Sequence, residues 1–262
     1  MILRNLSQSL KTQNWTAIVI EFILLVSGVF LGIQVANWNE EQGDARLGKD
    51  YVQRLIRDLE QDQAAISAGG DYYSDILKSV QTTDELLRSA NPDPRELVVN
   101  AYRATEITYI PPERATWDQI VSSGHLGLLP AGAIEAGLSK YYSFDIGQDV
   151  YRQGIGSSYR QTVRKIIPLT MQIAMRAGCS DIRDKWGNVV GFVKECKLDV
   201  DPAAIKDVAD ALRSEPAVAA DLRYQYSFAV TSAINLEGSS GAIASALAEL
   251  GAEPKSVKKV MP

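Results

Sequence analysis

From Trp15 to Trp38 the chain reads Trp-Thr-Ala-Ile-Val-Ile-Glu-Phe-Ile-Leu-Leu-Val-Ser-Gly-Val-Phe-Leu-Gly-Ile-Gln-Val-Ala-Asn-Trp, an apolar run whose one charged side chain is Glu21. A helix of this length covers the hydrocarbon core of a bilayer, and inside a bilayer the helix is the form that satisfies every backbone N–H and C=O within one segment. Tryptophan at each end suits an indole at the headgroup level. A cleaved signal peptide fits less well. The candidate site before Asn37 puts Gln34 and Ala36 at the flanking positions, and glutamine does not match the small-residue pattern. A buried core helix leaves the polar flanks and the bracketing tryptophans without a reason. The run therefore predicts a transmembrane helix over 15–38, a short cytoplasmic segment over 1–14, a helical extracytoplasmic domain over 39–251 and a flexible tail over 252–262.

Flanking charge does not set the orientation, because Arg4 and Lys11 before the span face Arg46 and Lys49 after it. A short leading segment that stays inside, and two cysteines in the large domain that suit an oxidising compartment, favour an N-terminus in the cytoplasm and a periplasmic domain. Within the span, Glu21, Gly28, Gly32 and Ala36 fall near one helix face at spacings of seven, four and four. Small residues so placed let two helix backbones approach, and an intramembrane carboxylate wants a partner or water. The face is the candidate contact surface. The alternative is an unpaired span in which Glu21 snorkels toward the headgroups.

A net charge of -5 gives no clustered Lys and Arg for a nucleic-acid partner. One histidine, His125, and two cysteines, Cys179 and Cys196, leave too few imidazoles and thiolates for a multi-ligand zinc site. His125 lies in a turn-like Ser-Ser-Gly-His-Leu-Gly-Leu-Leu-Pro stretch without a nucleophile-elbow pattern. No phosphate loop or metal motif is present, so no catalytic residue, cofactor or metal is assigned. Glu106, Glu113 and Asp118, near Arg103 and Arg114, read as a solvated charged face with Trp117 in the core, the alternative being a polar cleft beside that tryptophan.

The soluble part reads as all-α. Leu47, Tyr51, Leu55, Leu59, Ile66, Tyr73, Leu77, Val80 and Leu87 recur at three-, four- and seven-residue intervals, a long amphipathic stripe that ends at Asn91-Pro92-Asp93-Pro94. It runs on from the span, with Gly69-Gly70-Asp71 as the one place to break. Further helices are expected over 94–105, 113–122, 130–142, 148–177 with a kink at Pro168, 202–213, 216–236 and 240–250. The Tyr72-Tyr73 and Tyr141-Tyr142 pairs are expected to pack. Between Cys179 and Cys196, Lys185-Trp186-Gly187-Asn188 separates two short β-prone runs, which predicts a small hairpin or loop. Its cysteines form either a disulfide or two free buried thiols.

Two segments carry a resemblance: Ile33-Gln34-Val35-Ala36-Asn37-Trp38-Asn39-Glu40, and Thr116-Trp117-Asp118-Gln119-Ile120-Val121-Ser122-Ser123-Gly124-His125-Leu126 followed by Tyr141-Tyr142-Ser143. Over roughly residues 10 to 145 the chain resembles an uncharacterised bacterial family with an N-terminal transmembrane helix, an Asn-Trp-Asn-Glu segment and a helical extracytoplasmic domain. The resemblance implies an architecture in the inner membrane and carries over no reaction; where the chain has His125 the family commonly has another polar residue.

These readings converge on a membrane-anchored interaction or scaffold protein, perched on the lipid bilayer and self-associating or bound to another membrane or envelope protein. A ligand-sensing domain acting through a partner is the second expectation, and an enzyme of unknown class the third.

Overall fold

A computed structural model describes residues 15–143 and 146–254, without the side chains of 15–18 and 146. The cytoplasmic segment assigned to 1–14, with Arg4 and Lys11, and the lysines of the tail, Lys255, Lys258 and Lys259, lie outside the described residues. The chain divides into two compact units, one reaching Tyr51 and one starting at Val52.

The fold is mainly helical. Helix α1 runs Trp15–Arg88 as one element, then come α2 (Pro94–Arg103), α3 (Ala115–Ser122) and a 3-10 turn His125–Leu128. Segment α4 (131–143) is α-helical over Ala131–Ala133, π-helical over Ile134–Leu138 and α-helical again over Ser139–Ser143. Helices α5 (Ile146–Ile155), α6 (Ser158–Ile166) and α7 (Leu169–Gly178) precede a two-stranded antiparallel ribbon, β1 (Asp181–Arg183) and β2 (Val189–Phe192), and α8 (Pro202–Ser214) and α9 (Pro216–Glu249) close the order.

In the first unit, α1 carries an apolar stretch long enough to cross a membrane, none of it buried. Phe22, Leu24, Leu25 and Trp38 are each more than 60% exposed. In the second unit the stripe on α1 faces inward, with Leu55, Leu59, Ile66, Tyr73, Leu77 and Val80 buried. Tyr73, Leu77 and Val80 join a core made with Leu97, Val98 and Tyr102 of α2, Tyr159 and Val163 of α6, Met171 and Met175 of α7, Val208 and Leu212 of α8, and Leu222, Ala229 and Ala233 of α9.

Helix starts follow side-chain chemistry. Asp93 accepts from the Glu96 N–H at 2.9 Å, Asp201 from that of Ala203 at 3.3 Å and Glu215 from that of Ala217 at 3.1 Å, each before a proline in the first turn. Two boundaries differ from the sequence expectation, and one permitted break is not taken. Gly69-Gly70 does not break α1: a Cβ at Gly69 would lie 2.3 Å from Ile110 Cδ1, so the glycine admits a neighbouring side chain. The stretch 148–177 is interrupted a second time, at Gly156-Ser157, because Ser157 caps α6 through the Arg160 N–H at 3.3 Å and donates to Gln225 Oε1 at 2.7 Å. The expected break near Leu236–Ser240 is absent. Ala233, Ser240, Ile243 and Leu247 keep a buried face across Gly238, and that packing outweighs the roughly 1 kcal/mol helix penalty of the glycine.

The hairpin is present and tied at its base. Cys179 and Cys196 form a disulfide, and Gly187, at φ 89°, closes the turn between the strands. Arg103 donates to the carbonyls of Cys179 and Val193, at 3.4 and 2.8 Å, and Arg95 to those of Cys196 and Leu198, at 2.8 and 3.3 Å. The ribbon is thus fastened to α2 by two guanidinium groups that satisfy four loop carbonyls.

Candidate functional site

The residues singled out in the span, Glu21, Gly28, Gly32 and Ala36, all lie on α1 and all are exposed. A Cβ built at Gly28 or Gly32 meets nothing within 4 Å. His125 opens the 3-10 turn and is half-buried. Trp117 is buried and stacked on Tyr142, ring centroids 4.9 Å apart, and Asp118 is an exposed partner of Arg114 at 3.1 Å.

Glu106 departs from the expected solvated face. Its side chain is 15% exposed and takes Arg164 at 2.8 Å and Arg160 at 3.8 Å. Arg164 also donates to Thr105 Oγ1 at 2.8 Å and lies over the Tyr102 ring at 3.6 Å. The cluster is a tie between α6 and the end of α2, with a planar guanidinium spread over an aromatic face. The cleft considered beside Trp117 is filled by that ring stack.

Two adjoining hollows of the second unit lie elsewhere, apart from a larger one of about 510 Å³ beside Asp84, Arg88 and Arg223. An inner chamber of about 60 Å³ is walled by Tyr73 of α1, by Thr108, Tyr109 and Ile110 of the link after α2, by Tyr141 of α4 and by Ser232, Asn235 and Ser239 of α9. An outer chamber of about 330 Å³ shares Tyr141, Asn235 and Ser239 with it, and adds Lys140, Ile234, Gly238 and Ala242.

Two of the tyrosines are held by their hydroxyls. Tyr73 Oη donates to the Thr108 carbonyl at 3.1 Å and accepts from the Thr108 N–H at 3.4 Å. Tyr141 Oη donates to Asp62 Oδ2 at 2.8 Å. Asp62 also accepts the Glu113 N–H at 3.1 Å on both oxygens, and it is 3% exposed. Burial pushes its carboxyl up to about 6, against the two hydrogen bonds, and the neighbouring charges of Glu113 and Asp58 push the same way.

The π turn Ile134–Leu138 precedes the short helical turn Ser139–Ser143 that carries Lys140 and Tyr141. An inserted residue of this kind rotates the helix beyond it and recurs at functional sites. Gly137 makes the turn fit, since a Cβ there would lie 2.2 Å from the Ala242 carbonyl oxygen of α9. Asp62, Gly137, Asn235 and Ser239 belong to no motif, and nothing in the sequence pattern singles out the last three; the one legible signal is Asp62 itself, an aspartate three residues after Leu59 and four before Ile66, on the apolar side of the stripe.

Neither the protein-family models, nor the curated proteins, nor the solved structures contain a match to this chain. The class that the fold itself defines is a mainly helical protein with, among the described residues, one helix near the N-terminus long and apolar enough to cross a membrane.

Proposed function

We propose that the protein is a single-pass protein of the bacterial inner membrane, a member of the family that it resembles, whose helical domain is periplasmic and works by binding another membrane or envelope protein or a second copy of itself. The observation that carries this reading is the exposed apolar stretch of α1: between Val19 and Trp38 thirteen large apolar side chains lie exposed, which water would not tolerate and lipid would. The Cys179–Cys196 disulfide supports the placement of the domain in an oxidising compartment. Along the stretch, Glu21, Gly28, Gly32 and Ala36 offer the face on which a second helix would approach most closely. Crosslinking in intact membranes, followed by mass spectrometry, tests the reading. Crosslinks from residues near Gly28 and Gly32 to one defined protein, lost in Gly28→Ile/Gly32→Ile, are expected; a chain that captures nothing and stays monomeric in bilayers overturns it.

The two-chambered cleft favours a second reading, a domain that takes up a small molecule and acts through a partner. Its walls come from α1, α4 and α9, so an occupant would bridge elements distant in sequence.

A further inference from the structure

Asn235 and Ser239 stand one turn apart on α9 and line both chambers, and Thr108 lines the inner one. Among the described residues the side chains of these three have no hydrogen-bond partner. Around them the wall is tyrosine rings and aliphatic side chains. The one ionisable acid or base on the walls, tyrosine apart, is Lys140 in the outer chamber; Asp62 is covered by Tyr141 and the Glu113 N–H and does not line the cleft.

We propose that this cleft binds a monosaccharide, an uncharged ring of hydroxyls, with the ring in the outer chamber and one hydroxyl-bearing arm in the inner; the proposal rests on the ligand-binding reading given above. Three properties of the walls select this chemistry. Neutral donors and acceptors at Asn235, Ser239 and Thr108 match hydroxyl groups, each of which both donates and accepts. A purely apolar occupant would bury those groups without partners, at about 1–3 kcal/mol each. A charged group reaching into the inner chamber finds no countercharge there, and the outer one offers the single cation Lys140. The sizes agree as well. The outer chamber sits at the small end of the roughly 300–1,000 Å³ of ligand pockets, and the inner one has room for a few waters or the arm of a sugar. Tyr73 and Tyr141, fixed by Thr108 and Asp62, present rings that lose little freedom when a C–H face packs near them.

The test is saturation-transfer NMR on the full chain in lipid nanodiscs, free of sugar-based detergent. The probes are glucose, galactose and N-acetylglucosamine, with glutamate, glucose 6-phosphate and octanoate as the charged and apolar controls. Transfer to at least one neutral sugar, and not to the controls, is expected. Gly238→Leu fills the outer chamber, for a Cβ there meets open space, and Asn235→Leu removes the amide. Each should weaken the sugar signal about tenfold, the equivalent of one hydrogen bond, with the melting temperature unchanged. Undiminished sugar transfer in Gly238→Leu overturns the proposal. Transfer to a control that Gly238→Leu abolishes overturns the sugar and spares the ligand-binding reading; silence from every probe overturns both.

Discussion

Replacing Asp62 with asparagine isolates a pH-dependent part of the stability that comes from one group. The carboxyl is 3% exposed and its pKa in the folded chain is about 6, against 3.8 when solvated. The folded state therefore binds the proton more tightly than the unfolded one. Between those two values the folded chain holds more proton, so the stability that Asp62 contributes is fully present below about pH 4 and falls as the pH rises toward 6. Integrated from 3.8 to about 6, the loss is about 3 kcal/mol, at 1.36 kcal/mol per pH unit. Asparagine does not titrate, and its carbonyl oxygen still accepts from Tyr141 and from the Glu113 N–H. Urea titrations of both proteins in nanodiscs, followed by tryptophan fluorescence from pH 4 to 7.5, give the difference directly, since every other carboxyl is common to both. Asp62→Asn should gain about 3 kcal/mol on the parent between the ends of that range. Parallel pH profiles would refute the claim that Asp62 is ionised at a cost in its buried site.

Reduction of the Cys179–Cys196 disulfide opens a ring with a sequence separation of 17 and should cost about 3 kcal/mol, seen as a shift of the urea midpoint with added reductant. Glu106→Leu leaves Arg160 and Arg164 facing each other without their carboxylate and should cost on the order of 3 kcal/mol; Glu106→Leu/Arg164→Met should recover most of it in the same urea titration. Gly137→Ala places a methyl 2.2 Å from the Ala242 carbonyl oxygen, and calorimetry should register a loss of about 2 kcal/mol or more as the π turn is pushed off α9.

How far the sequence spoke depends on where each signal sits. The stripe from Leu55 to Val80 was legible because helical burial writes a 3.6-residue period into neighbouring positions. The Pro-led starts of α2, α8 and α9 were legible because capping is local. At Gly69, where a break was permitted, and near Gly238, where a gap was expected, only a distant contact says that the helix continues. At Gly69 that contact is Ile110, and at Gly238 it is the buried face running from Ala233 to Leu247. The disulfide remained one of two alternatives in sequence, since pairing depends on the ribbon that brings Cys179 next to Cys196. The cleft was not legible at all. Its walls come from positions more than 150 residues apart, and its polar members are ordinary types, an asparagine, two serines, a threonine and tyrosines, outside any pattern.

On the proposed function, residues 15–38 span the membrane and hold the domain outside the cytoplasm. Ala211 is exposed on α8, and both native cysteines are in the disulfide, so Ala211→Cys supplies a single reactive thiol. Labelling of intact spheroplasts with a membrane-impermeant maleimide should modify that thiol in the membrane fraction as fully as it does after permeabilisation. Labelling that appears only once the membrane is permeabilised, or a chain recovered in the soluble fraction, would contradict the account.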